Sequence, residues 1–561
     1  MKIRLRWIIL FVSILIFLPL LLPLLRPGTL HEYDMAFHIQ RIVAFEKELK
    51  EGILPPTWST YLSYGFGSPV LIFNWSFPYY VASLVLLSGA TLVDAYKMIT
   101  AIAYIGSFIG MFLLLGTRIS PLAALVGSVW YIWAPYRFQI HQLRGSIGEQ
   151  FAMMFWPWVL WITLVIFKKR YALGFLIGSL LWGGLVLAQQ PLFSMIVPLW
   201  LMIIVLEFGK TKDTKAIWIS LGTFLVGVML MSFSWMSILF ERKFLGYGLH
   251  EMIFPDNFLE WERLIAHPKL LEFWFGPIHL FYCIGWPLIT IAVLTLIHLV
   301  LNFRKKAVAP IRPYQLLFLC MGVFAIFLLH KSSTPVWQTL PLLAPVMVYP
   351  QRFMALAVFC TSALAGFLVF SWKKGTSLSL TFVAITAIVV FDLPFLSLNT
   401  LREKNLEELN APTLTTTDVW GEFSPKDIPQ DFQRNGLLYV NGPMLTVNPP
   451  NLTPPVCTQT SLSITCRVQI TSPSMIRVRQ FYFPGWSAYR DAQKIPMKLG
   501  SDGTILLSTS QPASEIRLVY EGTALQQTAK LLSLGFWGLY IILFIRIAYN
   551  WIKKKRFKKN I

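Results

Sequence analysis

The chain has 561 residues, of which 55% are hydrophobic, 15% aromatic and only 13% charged, and many of its apolar runs reach the length that crosses a bilayer. That balance excludes a soluble globular protein. The net charge of +21 would point to nucleic acid in a soluble chain, but the Lys and Arg lie in short tracts between apolar runs, such as "FKKR", "GKTKDTK", "FRKK" and "KKKRFKKN", which is the positive-inside pattern of a multi-pass membrane protein with no nucleic-acid partner.

The first apolar segment, Trp7 to Leu25, follows basic residues and is succeeded by Pro27 and Gly28 rather than a small-residue cleavage motif, so it reads as a retained signal anchor. Next comes "HEYDMAFHIQRIVAFEKEL", residues 31–49. Its spacing predicts a short amphipathic helix with Asp34, His38 and Arg41 on one face and Met35, Ile39, Ile42 and Leu49 on the other, lying flat on the membrane surface. The polar stripe is either the wet side of an interfacial helix or part of a site. His31, Asp34 and His38 have the residue types of a divalent-metal site, though no fixed spacing stands behind them.

Residues 70–89, "VLIFNWSFPYYVASLVLLSG", carry Asn74, Trp75, Ser76, Pro78, Tyr79 and Tyr80 in their interior and read as an interfacial or re-entrant segment. Further apolar segments fall near 95–116, 120–136, 150–167, 171–187, 191–207, 216–236, 277–301, 314–329, 352–371, 377–395 and 527–549. With 70–89 left out, about twelve crossings remain, and every basic tract, including residues 168–170, 304–306 and 373–374, falls on one side. The expectation is a protein of the cell membrane with both termini cytoplasmic. Residues 26–94, 137–149, 237–276, 330–351 and 396–526 then face outward.

Residues 396–526 change character: "SMIRVRQFYF", "GTILLSTS" and "SEIRLVYEG" alternate between turn residues and predict β-strands. The expected organisation is a transmembrane domain over 1–395, with a first exterior loop at 26–94, an extracytoplasmic β-sandwich-like domain over 396–526, and a last helix with a basic tail over 527–561. Cys457 and Cys466 form a disulfide if that domain is outside the cytoplasm, whereas Cys283, Cys320 and Cys360 read as packed thiols.

The second outward loop, "YRFQIHQLRGSIGEQ", brings Arg137, His141, Arg144 and Glu149 close to apolar segments. An unpaired cation at depth costs roughly 2.5–3.5 kcal/mol, so these groups want an anionic partner; snorkelling, or pairing with Glu149 and Asp34, is the plainer account. His330, Lys331 and Arg352 are further outward cations. Three such sites on the same face as a carboxylate stripe point to phosphate at the outer membrane edge. The aromatic-rich loop 237–276 resembles a lid. A Gly-rich nucleotide loop, a nucleophile elbow and a Cys-x-x-Cys pair are all missing from the sequence, which argues against a soluble nucleotide sugar and leaves a lipid-linked one open.

The runs "HEYDMAFHIQRI", "GILPPTWSTYLSYGFGSPVLIFNWSFPYY", "LRGSIGEQFAMMFWPWVLW", "YPQRFM" and "FYFPGWSAYRD" with "GTILL" together resemble the membrane family labelled 6-pyruvoyl-tetrahydropterin synthase-related and, with it, the GT-C glycosyltransferase superfamily. The resemblance implies a polytopic α-helical enzyme that uses a polyprenyl-phosphate-linked sugar, with an acidic residue of the first exterior loop at its active site, matched by Asp34. This chain reads Glu32-Tyr33-Asp34 where better-known members have an Asp-x-Asp pair, so a divalent metal is possible but not implied, and Glu32 is the substitute acid. In this reading Asp34 is the base, His38 and Arg41 orient it or touch phosphate, and Arg137, Arg144, Lys331 and Arg352 are phosphate ligands. The partners would be the lipid-linked donor, membrane lipids and a glycan or lipid acceptor. The competing readings are a lipid or glycolipid transporter and a catalytically inactive scaffold on the same fold.

Overall fold

The computed structural model describes residues 2–28, 32, 34–246, 257–265, 282–302, 310–340, 346–347, 349–372, 378–393, 396, 423–429, 442–449 and 453–557. Most of the lid-like loop 237–276, the basic tracts at 304–306 and 373–374, and His31 lie outside the described residues.

The N-terminal part is helical: α1 (Lys2–Leu25), α2 (Met35–Lys50), α3 (Val70–Phe73), α4 (Phe77–Leu87), α5 (Leu92–Gly116), α6 (Pro121–Trp133), α7 (Pro135–Phe138), α8 (Ile147–Phe167), α9 (Tyr171–Ala188), α10 (Gln190–Thr211), α11 (Thr214–Leu230) and α12 (Ser232–Phe240). Later helices include Trp286–Leu301, Arg312–Leu329, Phe353–Ser371 and Leu378–Asp392, and the chain closes on Ala524–Phe557. Local chemistry sets several boundaries. The Thr91 hydroxyl accepts the Asp94 amide at 3.1 Å to open α5, the Asp213 carboxylate accepts the Ala216 amide at 3.0 Å to open α11, and proline supplies the first turn of α6 and α7.

Among the described residues, seven helices are long and apolar enough to cross a membrane, or eight if α11 and α12, bent by 76°, form one broken span. The sequence pattern suggests about twelve crossings; of the four remaining segments, α1 has 24 residues and α6 is cut short. Pro135 follows the end of α6 at Trp133, leaving 13 residues, about 20 Å of helix against a hydrocarbon core of about 30 Å. Trp286–Leu301 has 16 residues, and Leu378–Asp392 has 15 among the described residues. Segment 70–89 is broken, as its polar interior suggests. Asn74 is extended, accepts the Trp75 amide at 2.9 Å and donates to the Tyr79 hydroxyl at 2.8 Å, so neither α3 nor α4 is long enough to span.

Helix α2 departs from its expected setting. Its polar stripe is not wet: His38 and Arg41 are buried alongside Ile39, Ile42 and Phe45. An interfacial helix keeps one face in water. This one is covered by α4 and α5 and by the chain that follows it.

The C-terminal β-domain has two antiparallel sheets. One runs β1 (Leu445–Asn448), β4 (Ser474–Phe481), β8 (Thr504–Thr509) and β7 (Met497–Leu499) in spatial order. The other runs β2 (Val456–Gln459), β3 (Ser463–Ile470), β9 (Ala513–Tyr520), β5 (Trp486–Arg490) and β6 (Gln493–Ile495). Alternate residues such as Ile476 and Val478 on one sheet and Ile464, Cys466, Ile516 and Leu518 on the other are buried in a common apolar cluster. Cys457 and Cys466 face each other across β2 and β3 and form a disulfide.

This domain docks onto the loop between α2 and α3. The Phe481 amide donates to the Phe66 carbonyl at 2.7 Å, Gln480 Nε2 to the same carbonyl at 2.8 Å, and the Tyr61 hydroxyl to the Gln459 carbonyl at 3.0 Å. Gly67 sits at φ +82°, and a Cβ there would strike Gln480 and Trp58, so glycine permits the close approach. Trp58 is the apolar anchor, fully buried and stacked on Tyr520 at 5.4 Å, with Phe483 and Trp486 at 5.6 and 5.7 Å. Trp58→Ala should destabilise the docked state by about 3–5 kcal/mol. Limited proteolysis should then release a β-domain fragment that the wild type protects; an unchanged cleavage pattern would show that Trp58 is not the anchor.

Candidate functional site

The site is built where the start of α2 meets the turn before α8. A π-helical turn, Gln139–Leu143, follows α7 and ends on Arg144; such turns shift the register of the residues that follow and recur at functional sites. Gly145 then takes φ +71°, and a Cβ on it would strike the Glu32 carboxylate and the Tyr96 hydroxyl. Only glycine lets the two segments close in this way. The closure is sealed by the Asp34 amide donating to the Arg144 carbonyl at 2.9 Å.

Asp34 stands at the N-cap of α2, but its side chain makes no capping bond. Its carboxylate instead faces Arg144 Nε at 3.6 Å, with about a third of the side chain exposed. That separation is longer than a tight charge-assisted bond, so an oxygen remains open at the rim. Burial of its surroundings raises the Asp34 pKa above the ordinary carboxylate value, while Arg144 and Arg41 pull it down.

Behind it lies an ion cluster centred on Glu149, which is fully buried. Its Oε1 accepts Arg144 Nη1 at 3.0 Å and Arg352 Nε at 3.2 Å, and its Oε2 accepts the Tyr136 hydroxyl at 2.7 Å. Gln189 Nε2 adds a longer bond at 3.4 Å. Arg352 Nη1 also donates to the Met347 carbonyl at 2.5 Å, and both guanidinium groups lie near the Tyr349 ring, at 5.7 and 5.3 Å. Burial opposes the charge on Arg144, but Glu149, Tyr282 and Asp34 outweigh it and hold its pKa well above the usual value. Pairing with Glu149 and Asp34, the plainer account of the Arg144 charge, is thus what forms.

Glu32 is buried, accepts the Tyr96 hydroxyl at 2.5 Å through Oε2, and leaves Oε1 without a partner. Burial, with a contribution from Asp34 and against the Tyr96 bond, pushes its pKa up to about 8, so it carries its proton at neutral pH. His38 is neutral as well, its pKa held well below the usual range by burial and then by Arg41 and Arg144. Its Nδ1 lies 2.9 Å from the Tyr79 hydroxyl, which also accepts from Asn74. Arg41 is buried, near the Phe423 ring at 5.2 Å. Three guanidinium groups, those of Arg41, Arg144 and Arg352, thus accompany the carboxyls of Asp34 and Glu149.

The structure therefore brings together Glu32, Asp34, His38, Arg41, Arg144 and Arg352 and leaves two of the sequence candidates elsewhere. Arg137 is fully buried between the rings of Tyr104 and Tyr131, each 5.4 Å away, and donates to the Ser107 hydroxyl at 2.8 Å. Lys331 is exposed on a single 3-10 turn, Lys331–Ser333, beside His330, which stacks on Trp261. Glu149 was visible in the sequence only as a partner for Arg144, and Tyr96 and Tyr136 carry no signal that separates them from interfacial tyrosines. The donor set does not suit a cation: Glu32 is turned to Tyr96, Asp34 to Arg144 and His38 Nδ1 to Tyr79. Among the described residues, no three His, Cys, Asp or Glu side chains converge.

No family model matches the chain, and no curated protein matches it. Among solved structures it is similar to the Archaeoglobus fulgidus oligosaccharyltransferase in the apo form, at 13% identity and a TM-score of 0.40, covering 70% of this chain and 55% of that one. It is similar to the same protein in complex with Zn and sulfate at 12% identity and a TM-score of 0.38, covering 72% and 53%. The chain thus spans about half the length of that protein, and a likeness of this degree does not bear on what the chain does.

Glu149→Gln would leave Arg144 and Arg352 buried beside a neutral amide. Removing one partner of a buried ion cluster costs about 3–5 kcal/mol, so the purified variant should unfold at a markedly lower temperature. An unchanged midpoint would mean that Glu149 does not hold the two arginines.

Proposed function

We propose that the protein is a membrane glycosyltransferase of the GT-C type, moving a sugar from a polyprenyl-phosphate carrier to a hydroxyl of an extracytoplasmic glycan, glycolipid or cell-envelope polymer. One observation carries the reading: a partly exposed carboxylate, Asp34, stands 3.6 Å from an arginine that a buried glutamate fixes in place beside a second arginine. The chemistry needs little else. The acceptor oxygen bonds to the anomeric carbon, the bond from that carbon to the phosphate oxygen breaks, and the polyprenyl phosphate leaves with the electron pair. Asp34 takes the acceptor's proton. A phosphate is a good leaving group and needs no second carboxylic acid; its charge is met by Arg144, with Arg352 and Arg41 behind it. Glu32, neutral at pH 7, keeps a second negative charge away from the departing phosphate.

The outward orientation of this site belongs to the same proposal and rests on the distribution of basic tracts. A second reading, lipid translocation, has one observation in its favour, the 76° bend between α11 and α12.

Given a radiolabelled polyprenyl-phosphate sugar and a panel of glycan and glycolipid acceptors in proteoliposomes, the wild type should transfer label, and Asp34→Asn should lower the rate by about 10²–10⁴ at equal expression. A variant as fast as wild type removes Asp34 from the mechanism. Vesicles that move lipid between leaflets while consuming no donor would establish the translocation reading. The rate should also fall as pH rises through about 8, where Glu32 loses its proton, and Glu32→Gln should abolish that alkaline limb. A limb that persists in the variant would assign it to another group.

A further inference from the structure

We propose that the end of the helical bundle opposite the Asp34 cluster holds the headgroup of an anionic phospholipid, between the turn that joins α8 to α9 and the turn that joins α10 to α11. Glu149 and Lys168 stand at the two ends of α8, 19 residues apart, or about 28 Å along a helix. This surface therefore lies about one hydrocarbon core away from the acid.

Five cations face outward there, Lys168, Lys169 and Arg170 from the first turn and Lys212 and Lys215 from the second, and all five are exposed. None of them forms an ion pair among the described residues. Asp213, the one acid in either turn, is already engaged: it accepts the Tyr171 hydroxyl at 2.6 Å and the Ala216 amide at 3.0 Å. The first of these bonds ties the two turns together across 42 positions of chain, and Lys215 Nζ lies 4.8 Å from the centre of the Tyr171 ring. Helices α9 and α11, which begin at these turns, pack against each other. The positive-inside pattern asks only for cations in loops. It does not ask that two loops be bonded to each other with their only acid occupied, and a surface of that kind is complementary to phosphate.

Just inside the ring of charge the surface turns apolar. Leu173, near the start of α9, is 45% exposed, and Trp218, three residues beyond Lys215 on α11, is 73% exposed. Leu180 and Leu225, each two helical turns further along the same face, are exposed as well. A soluble anion would use the cations alone. A phospholipid uses both surfaces, its phosphate between the two turns and its acyl chain along the outer faces of α9 and α11, with Trp218 at the boundary where indole rings are favoured. The site shares no side chain with the Asp34 cluster and stands whether or not that cluster transfers sugar.

A photoreactive phosphatidylglycerol, carrying a diazirine near the head of one acyl chain, tests this on the full chain in nanodiscs. After irradiation, peptides from residues 171–185 and 214–225 should carry at least ten times the label left by phosphatidylcholine with the same chain. Gln at all five cationic positions should bring the label down to the phosphatidylcholine level, and Arg at the four lysines should keep it. Lys169 and Lys212 have left-handed backbones, φ +62° and +55°, which glycine adopts more easily than lysine. The double variant Lys169→Gly, Lys212→Gly should therefore lose label severalfold while its thermal midpoint holds or rises, which separates loss of charge from loss of fold. Equal labelling by the two lipids overturns the proposal, as does a five-Gln or double Gly variant that labels like the wild type, or an Arg variant that loses the label.

Discussion

Two guanidinium groups share one carboxylate oxygen of Glu149 at 3.0 and 3.2 Å, on the first turn of a 21-residue helix that is otherwise almost wholly apolar and buried. In such surroundings an ion without a partner is far more costly than a pair, so the three side chains hold one another in place. Arg144 can then offer a second edge to Asp34, and Arg352 is brought from more than two hundred residues away to the same spot. The position of Asp34 follows from this cluster rather than from its own helix, whose amide ladder it does not cap.

The same constraint explains why α2 is buried on both sides. A helix with a charged stripe normally turns it to water. Here the stripe finds its partners inside the protein: His38 on Tyr79, Arg41 beside Phe423, and Asp34 at the start of the helix on Arg144. The tight turn at Gly145 and the proton on Glu32 then allow three acids to lie in one small volume with no two ionised neighbours forced into contact.

Much of this is legible in the amino-acid order, for physical reasons. Charged residues at the ends of apolar runs are few and costly, so Asp34, Arg144, Glu149 and Arg352 stand out. The alternation in residues 474–483 and 503–522 gives β4, β8 and β9, because the side-chain period there is two. The polar interior of residues 70–89 marks the break that separates α3 from α4. What was not legible depends on distance in space. Arg137 and Lys331 have the same local signature as Arg144, yet one is enclosed by Tyr104 and Tyr131 and the other is exposed. Tyr96 and Tyr136 look like interfacial tyrosines until the acids they bond are seen. The early end of α6 depends on a proline and on packing that a hydropathy pattern averages away.

The docking of the β-domain on residues 58–68 joins groups about four hundred positions apart in the chain, as in the bond from the Thr60 hydroxyl to the Thr460 carbonyl at 2.6 Å. At ribosomal speeds of roughly 5–20 residues per second, the platform emerges some 20–80 s before its cover exists. During that interval Trp58 and the aromatic stretch around it have no native partner. Such long-range closure is slow, and the exposed surface invites wrong partners. The last step of biogenesis is therefore a capping event, and until it happens the surface around Trp58 stays uncovered. Truncations before residue 520 would yield an inserted but open chain, a natural client for chaperones and membrane proteases.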